Sequence, residues 1–100
     1  MFKDIQAEVD KLEKLIEEST GKKLSAYGKL SMLTAEVGEL ADEVIALEGD
    51  RVEDKEYDLK DDLAKEIVDV TVNAMIIANH YGIDVDEYFT PRVDKIKKKF

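Results

Sequence analysis

Apolar residues recur along most of the chain every three or four positions, the spacing that places them on one face of an α-helix. This spacing predicts three long helices, over residues 2–18, from about Ala26 to Glu48 and from about Leu59 to Tyr81. In the second helix the apolar positions keep a strict alternation of three and four, which is typical of a helix packed along a neighbouring helix. These positions are Leu30, Leu33, Val37, Leu40, Val44 and Leu47.

Glycines and capping residues mark the ends of these helices. Gly21, Gly49 and Gly82 follow the last periodic residues, where glycine commonly ends a helix. Ser25 and Asp58 precede the second and third helices, and both are predicted to cap the first N–H groups. The pattern therefore predicts helices joined by short connections.

The C-terminal segment predicts a short fourth helix. Asp84 and Glu87 resemble a capping arrangement for a short turn, and Thr90-Pro91 then begins the helix, because proline fits the first helical position. One hundred residues are enough for a single domain with a modest core. We therefore expect one all-α domain over residues 1–100, a four-helix bundle whose last helix is short.

Polar side chains interrupt the most apolar stretch of the chain. Between positions 67 and 78 the exceptions are Asp69, Thr71 and Asn73. A helix that is apolar on all sides is normally buried, and a buried carboxylate must be paired, hydrogen-bonded or bound to a metal. Because Glu66, Asp69 and Asn73 are spaced by three and four residues, we expect them to project from one face.

The second helix carries a comparable acidic stripe along one flank of its apolar face, formed by Glu36, Glu39 and Glu43. If the second and third helices pack antiparallel, as their short connection favours, the two stripes converge on one pocket. Its carboxylates would be those of Glu36, Glu39, Glu66 and Asp69. The alternatives are a solvent-exposed edge for the helix-two pair, and a buried lysine or tyrosine partner for Asp69.

Charge and composition narrow the function. The net charge is −9, divided into about +4 over residues 91–100 and −13 over residues 1–90. Such an acidic body is a poor match for nucleic acid. The absence of cysteine excludes thiolate metal sites and suits the cytoplasm. We expect no membrane segment, because no apolar run is long enough to span a bilayer and the first ten residues lack a signal-like apolar stretch.

The converging acids favour a metal ion. Facing carboxylates repel each other unless a positive charge lies between them, and no lysine or arginine follows Lys65 in the third helix. The available ligands are hard oxygens, with one histidine in the whole chain. This donor set selects Mg²⁺ or Mn²⁺ over zinc, and Mg²⁺ on few carboxylates retains waters and binds phosphates. Through such a metal ion, an acidic protein can bind a polyphosphate.

The two acidic pairs resemble the motif of the MazG-type nucleoside triphosphate pyrophosphohydrolases, an ExxE followed by an ExxD. Here the pairs are Glu36-x-x-Glu39 and Glu66-x-x-Asp69, with 26 residues between them. The similarity covers roughly residues 24–100. It includes Gly38, the glycine of the family's EExGEL segment, although Ala35 stands in place of the segment's first glutamate.

The resemblance implies an all-α fold in which homodimers, sometimes paired into homotetramers, build the site. It also implies Mg²⁺-dependent cleavage of nucleoside triphosphates between the α- and β-phosphates, in nucleotide-pool control or house-cleaning. By position, the metal ligands would be Glu36, Glu39, Glu66 and Asp69. Glu36 or Glu39 would activate the attacking water, Asn73 would contact the substrate or support a metal ligand, and Lys95 and Lys99 would contact phosphates.

Two other functions stay open at this point. A phosphoribosyl-ATP pyrophosphohydrolase shares the superfamily and its metal requirement, so the substrate alone separates it from a general nucleotide hydrolase. A non-catalytic helical dimerisation or nucleotide-binding module would use the same acids as ion-pair partners. The preferred base and sugar, the number of metal ions, the choice between dimer and tetramer, and the role of His80 are also open.

Overall fold

The fold consists of four α-helices in a computed structural model that describes residues 1–49 and 56–100, with the backbone alone for 56–59. The helices are α1 (Phe2–Thr20), α2 (Ala26–Glu48), α3 (Glu56–His80) and α4 (Val85–Lys97). No strand occurs among the described residues, and the predicted all-α class is confirmed. None of the described helices has the length and apolar character needed to cross a lipid bilayer.

Three predicted helix ends are found in the structure. Gly21 has φ 67°, in the left-handed region that favours glycine, and its N–H donates to the Glu17 carbonyl at 2.8 Å. Ser25 caps α2, since its hydroxyl oxygen accepts from the Gly28 N–H at 3.2 Å. Gly82, with φ 64°, follows the end of α3. These ends depend on local geometry, which is why the sequence pattern finds them.

The start of α3 differs from the prediction. The helix begins at Glu56, so Asp58 lies inside it and does not cap it. The segment between Gly49 and Glu56 lies outside the described residues. Acidic side chains are favourable throughout the first turn of a helix because of the helix dipole, so an acidic sequence alone does not single out the capping position.

The predicted start of the last helix is also wrong. Asp84 caps a helix that begins at Val85, its carboxylate accepting from the Asp86 N–H at 3.1 Å, and this helix continues through Pro91. The rings of Phe2 and Phe89 lie 4.7 Å apart. The cap and this ring contact hold the residues before the proline in place. Helix α4 therefore continues through Pro91, although the proline lacks a backbone N–H donor.

The Cα positions form two compact units, of which unit 1 comprises Met1–Lys23 and Met75–Phe100. Its most buried polar residue is Gln6 of α1, at 9% exposure. The Gln6 amide nitrogen donates to the Asn79 side-chain oxygen at 3.1 Å and to the Ile83 carbonyl at 2.8 Å. Its amide oxygen accepts from the Val85 N–H at 3.1 Å, and the Asn79 amide nitrogen donates back to the Gln6 carbonyl at 2.9 Å. This network ties α1 to the end of α3 and the start of α4.

A second polar contact in unit 1 joins α4 to the start of α1. The Asp86 carboxylate accepts from the Phe2 N–H at 2.9 Å and the Lys3 N–H at 3.0 Å, and it lies 3.6 Å from the amino group of Met1. The first N–H groups of a helix have no partner within it, so a carboxylate from another element acts as their cap. Two backbone donors of α1 are satisfied in this way.

Unit 2 comprises Leu24–Ala74, and therefore α2 with most of α3. Half of the predicted apolar stripe of α2 is half-buried, namely Leu33, Leu40 and Leu47. The other half stays exposed within the chain, with Leu30 at 53%, Val37 at 47% and Val44 at 44%. The stripe is therefore divided between a half-buried part and an open part.

The expectation that the apolar part of α3 is buried on all sides is wrong for its beginning. Ile67 is 50% exposed, Val68 is 58% exposed, and Asp69 is exposed as well. Burial sets in later, at Met75 and Ala78. Within the described chain, the first half of this stretch is therefore more exposed than the second.

Candidate functional site

Three carboxylates from two helices meet in unit 2. Glu36 and Glu39 lie three residues apart on one side of α2, and Glu66 reaches them from α3. Each offers an oxygen atom, and these three oxygens all lie within 4.8 Å of one another. We refer to Glu36, Glu39 and Glu66 as the carboxylate cluster. Helical spacing on α2 and the packing of α3 against it together create the cluster.

Asp69 lies beside the cluster without joining it. Its charge raises the pKa of both Glu36 and Glu66, so it is close to them, yet its side chain is exposed. On a helix, three residues turn the side chain about 60° away from Glu66, toward the flank of α3 and away from α2. The expectation that Asp69 is buried is therefore wrong, while its role as a metal ligand stays a prediction.

The cluster holds a proton that ordinary glutamates would lose. Burial raises the pKa of Glu66 to about 7, together with its hydrogen bond to Glu36 and the charges of Glu39 and Asp69. The hydrogen bond with Glu66 lowers the pKa of Glu36, but burial and the neighbouring Glu39 and Asp69 outweigh it and raise that pKa overall. The pair therefore retains a proton to higher pH than two separate glutamates would, because like charges this close resist full ionisation.

Two oxygen atoms of the cluster lack a hydrogen-bond donor when the carboxyls are ionised. The Oε2 atoms of Glu36 and Glu66 are both inaccessible to solvent and unpartnered within the described chain. Buried polar atoms are normally satisfied, and an unpaired one is costly. No lysine or arginine among the described residues contributes to the pKa of either glutamate. The arrangement fits a divalent cation, since all its donors are carboxylate oxygens of the kind that Mg²⁺ and Mn²⁺ prefer.

The neighbouring polar residues of α3 bond to their own helix. The Asn73 amide nitrogen donates to the Asp69 carbonyl at 2.8 Å, which fixes the side chain one turn beyond the cluster. The Thr71 hydroxyl donates to the Ile67 carbonyl at 2.8 Å, as expected for a threonine within a helix. Asn73 is thus held in place, and its contact with a substrate or metal ligand stays a prediction.

The basic residues predicted to contact phosphates lie in unit 1. Lys95 is in the last turns of α4, Lys99 follows the helix, and both side chains are exposed. Their role stays a prediction. His80, the last residue of α3, is also exposed, and its ring meets the ring of Tyr81 edge-on with the centroids 4.8 Å apart.

An open groove beside Asp69 is absent from the sequence-based prediction. Its volume is about 370 Å³, and it is lined by Ala64, Lys65, Val68 and Asp69 of α3. The signal in the sequence is the four-residue spacing of Lys65 and Asp69, and of Ala64 and Val68, which places each pair on one side of the helix. We call this feature the Lys65 groove.

Comparison with protein families supplies the identity of the fold. The family model described as the MazG nucleotide pyrophosphohydrolase domain matches residues 27–99. No curated protein and no solved structure is significantly similar to the chain. Because the match covers most of the chain, the chain belongs to the MazG family, and this membership indicates a nucleotide pyrophosphohydrolase-like function. Helix α1 precedes the matched segment.

Proposed function

We propose that this member of the MazG family hydrolyses nucleoside triphosphates between the α- and β-phosphates, releasing a monophosphate and pyrophosphate. The metal would be Mg²⁺, with Mn²⁺ as a substitute, and its ligands would be Glu36, Glu39, Glu66 and Asp69. The observation that carries the proposal is the pair of buried, unpartnered oxygens in the carboxylate cluster. A nucleotide-pool or house-cleaning role in the cytoplasm is part of the same proposal.

The residues of the chain have separate tasks in this reaction. A bound Mg²⁺ would neutralise phosphate charge and lower the pKa of a bound water. Glu36 or Glu39 accepts the proton of the water whose oxygen attacks the α-phosphorus. The bond from the α-phosphorus to the bridging oxygen breaks, and pyrophosphate leaves with the electron pair. Asn73 orients the substrate beside the cluster, while Lys95 and Lys99 hold phosphate oxygens.

The exposed surface supports a homodimer or homotetramer as part of the proposal. The open face of α2 at Leu30, Val37 and Val44 is apolar and suits burial against a second copy. Sedimentation equilibrium tests this, and a monomer at all concentrations contradicts it.

The activity is tested by incubating the protein with Mg²⁺ and a panel of nucleoside triphosphates, deoxynucleoside triphosphates and phosphoribosyl-ATP. We expect pyrophosphate release on at least one substrate, lowered roughly 100-fold by Glu39→Gln and by Asp69→Asn. Glu43→Gln is the matched control, because Glu43 is on α2 outside the cluster. If phosphoribosyl-ATP is the one substrate that is hydrolysed, the protein is a phosphoribosyl-ATP pyrophosphohydrolase and not a general nucleotide hydrolase. Absence of turnover on every substrate contradicts the enzymatic proposal.

A further inference from the structure

The Lys65 groove lies on the flank of α3 that borders the carboxylate cluster. Lys65 directly precedes Glu66, and it shares one side of α3 with Asp69, about 40° away around the helix axis. The groove and the cluster therefore meet at Asp69, which lines the first and raises the pKa of glutamates in the second.

We infer that Lys65 binds the pyrophosphate portion of the substrate in this groove and positions it as the leaving group. The inference rests on the proposed function, which supplies the triphosphate. It adds a residue and a subsite that the motif of paired acids does not contain. The metal ligands would lie at the attacked phosphorus, and the Lys65 groove would hold the two phosphates beyond it.

The negative charges around the cluster favour a cation beside it. A triphosphate carries several negative charges, and the cluster with Asp69 adds more, so a divalent metal alone leaves an excess of negative charge. Lys65 is exposed and has no ion pair within 4.0 Å to any residue that the structure describes. Its ammonium is thus available to phosphate oxygens without losing a partner, and charge-assisted hydrogen bonds to phosphate are strong.

The walls of the groove suit the stem of the lysine. Val68 is 58% exposed and Ala64 is exposed, so both offer apolar surface along which the methylene groups of Lys65 can lie. The ammonium then remains in solvent at the edge of the groove, where phosphate oxygens can reach it. As the bond to the α-phosphorus breaks, negative charge grows on the leaving pyrophosphate, and a positioned cation stabilises that charge.

A second cavity in the described chain lacks these properties. It lies in unit 1, also with a volume of about 370 Å³, and its lining includes Gln6, Asn79 and Ile83. There the amide groups of Gln6 and Asn79 already bond to each other and to the backbone. These two amides therefore lack an unpaired group that would bind a ligand, and we do not assign a binding role to this cavity.

The test measures the binding of pyrophosphate itself, in the presence of Mg²⁺, by isothermal titration calorimetry. We expect Lys65→Gln to weaken binding about tenfold or more, and Lys65→Arg to restore most of it. Lys60→Gln is the matched control, since Lys60 is exposed on α3 but does not line the groove. Mg²⁺-induced thermal stabilisation, measured on the same variants, should be unchanged.

Each result decides the inference. Wild-type affinity in Lys65→Gln, an equal loss in Lys60→Gln, or loss of the Mg²⁺ stabilisation in Lys65→Gln overturns it, the last because it indicates a structural role. In steady-state assays Lys65→Gln should lower kcat/KM by a similar factor. Failure of the proposed function is distinguishable, since it appears as no pyrophosphate release by the wild-type protein on any substrate.

Discussion

The Gln6 network of unit 1 and the carboxylate cluster of unit 2 differ in how their buried polar atoms are satisfied. In unit 1 the amide of Gln6 makes hydrogen bonds with Asn79, Ile83 and Val85 over distances of 2.8 to 3.1 Å. In unit 2 the Oε2 atoms of Glu36 and Glu66 are buried without a donor. Both sets of polar atoms are buried, but the chain supplies complementary groups for the amide of Gln6 and supplies no donor for these two carboxylate oxygens.

The contrast separates a structural network from a binding site. A fully paired network strengthens the packing of the helices that it joins, whereas a partly paired one weakens it. The unpaired oxygens of the carboxylate cluster therefore lower the stability of the protein in the absence of a ligand. A cation bound to the cluster raises that stability. Substitutions in the cluster and in unit 1 should therefore have separate effects on Mg²⁺ binding and on stability.

The largest effect is expected from Glu66→Gln in unit 2. The amide keeps the size of the side chain and a donor toward Glu36, but it removes a charge that the cluster needs for metal. We expect pyrophosphate release to fall roughly 100-fold or more, the Mg²⁺ shift in melting temperature to vanish, and the metal-free melting temperature at pH 8 to stay equal or rise. Thermal unfolding and activity assays measure all three. A lower metal-free melting temperature with full Mg²⁺ response would contradict the contrast.

The corresponding change in unit 1 is Gln6→Leu. It leaves the Asn79 side chain, the Ile83 carbonyl and the Val85 N–H without their partner, so we expect a loss of about 2 kcal/mol in the free energy of unfolding. Urea unfolding measures this. Glu8→Leu, on the exposed side of the same helix, is the control and should change stability little. Mg²⁺ should still stabilise the Gln6→Leu protein. Loss of the Mg²⁺ response would contradict the prediction that the Gln6 network and the carboxylate cluster act independently.

The pH dependence of Mg²⁺ binding sharpens the contrast further. With its pKa raised to about 7, Glu66 is protonated in acid and ionised above neutrality. The raised pKa favours the folded state below the ordinary pKa of 4.5, and this contribution is lost as the pH rises through about 7. Metal ligands must be ionised, so the Mg²⁺ shift in melting temperature should grow between about pH 6 and pH 8. An unchanged shift over this range would count against Glu66 as a ligand.

The smallest effect is expected from Asp86→Asn in unit 1. The N–H groups of Phe2 and Lys3 lower the pKa of Asp86, together with the charge of the amino terminus. A lowered pKa stabilises the folded protein above the ordinary value of 3.8, and this stability is lost as the pH falls below it. Unfolding midpoints should therefore differ between wild type and variant at neutral pH and converge at low pH. If the difference in unfolding midpoint is the same at all pH values, the charge of Asp86 does not contribute to stability.

The sequence determined by itself the features that depend on neighbours within one helix. The bounds of α2, the Ser25 cap, the turn at Gly21 and the spacing of Glu36 and Glu39 follow from residues at most four positions apart. Helix periodicity and capping act over this range, so a pattern of residue types is sufficient to predict them. The acidic motif belongs to the same local information.

The tertiary structure alone decided which faces are covered. It half-buries Leu33 and Leu40 while Val37 stays exposed, and it leaves Asp69 exposed beside the cluster. It pairs Gln6 with Asn79, 73 residues later in the chain. Such contacts depend on how helices pack and not on their internal period, so both the satisfied network and the unsatisfied oxygens were visible only in the folded chain.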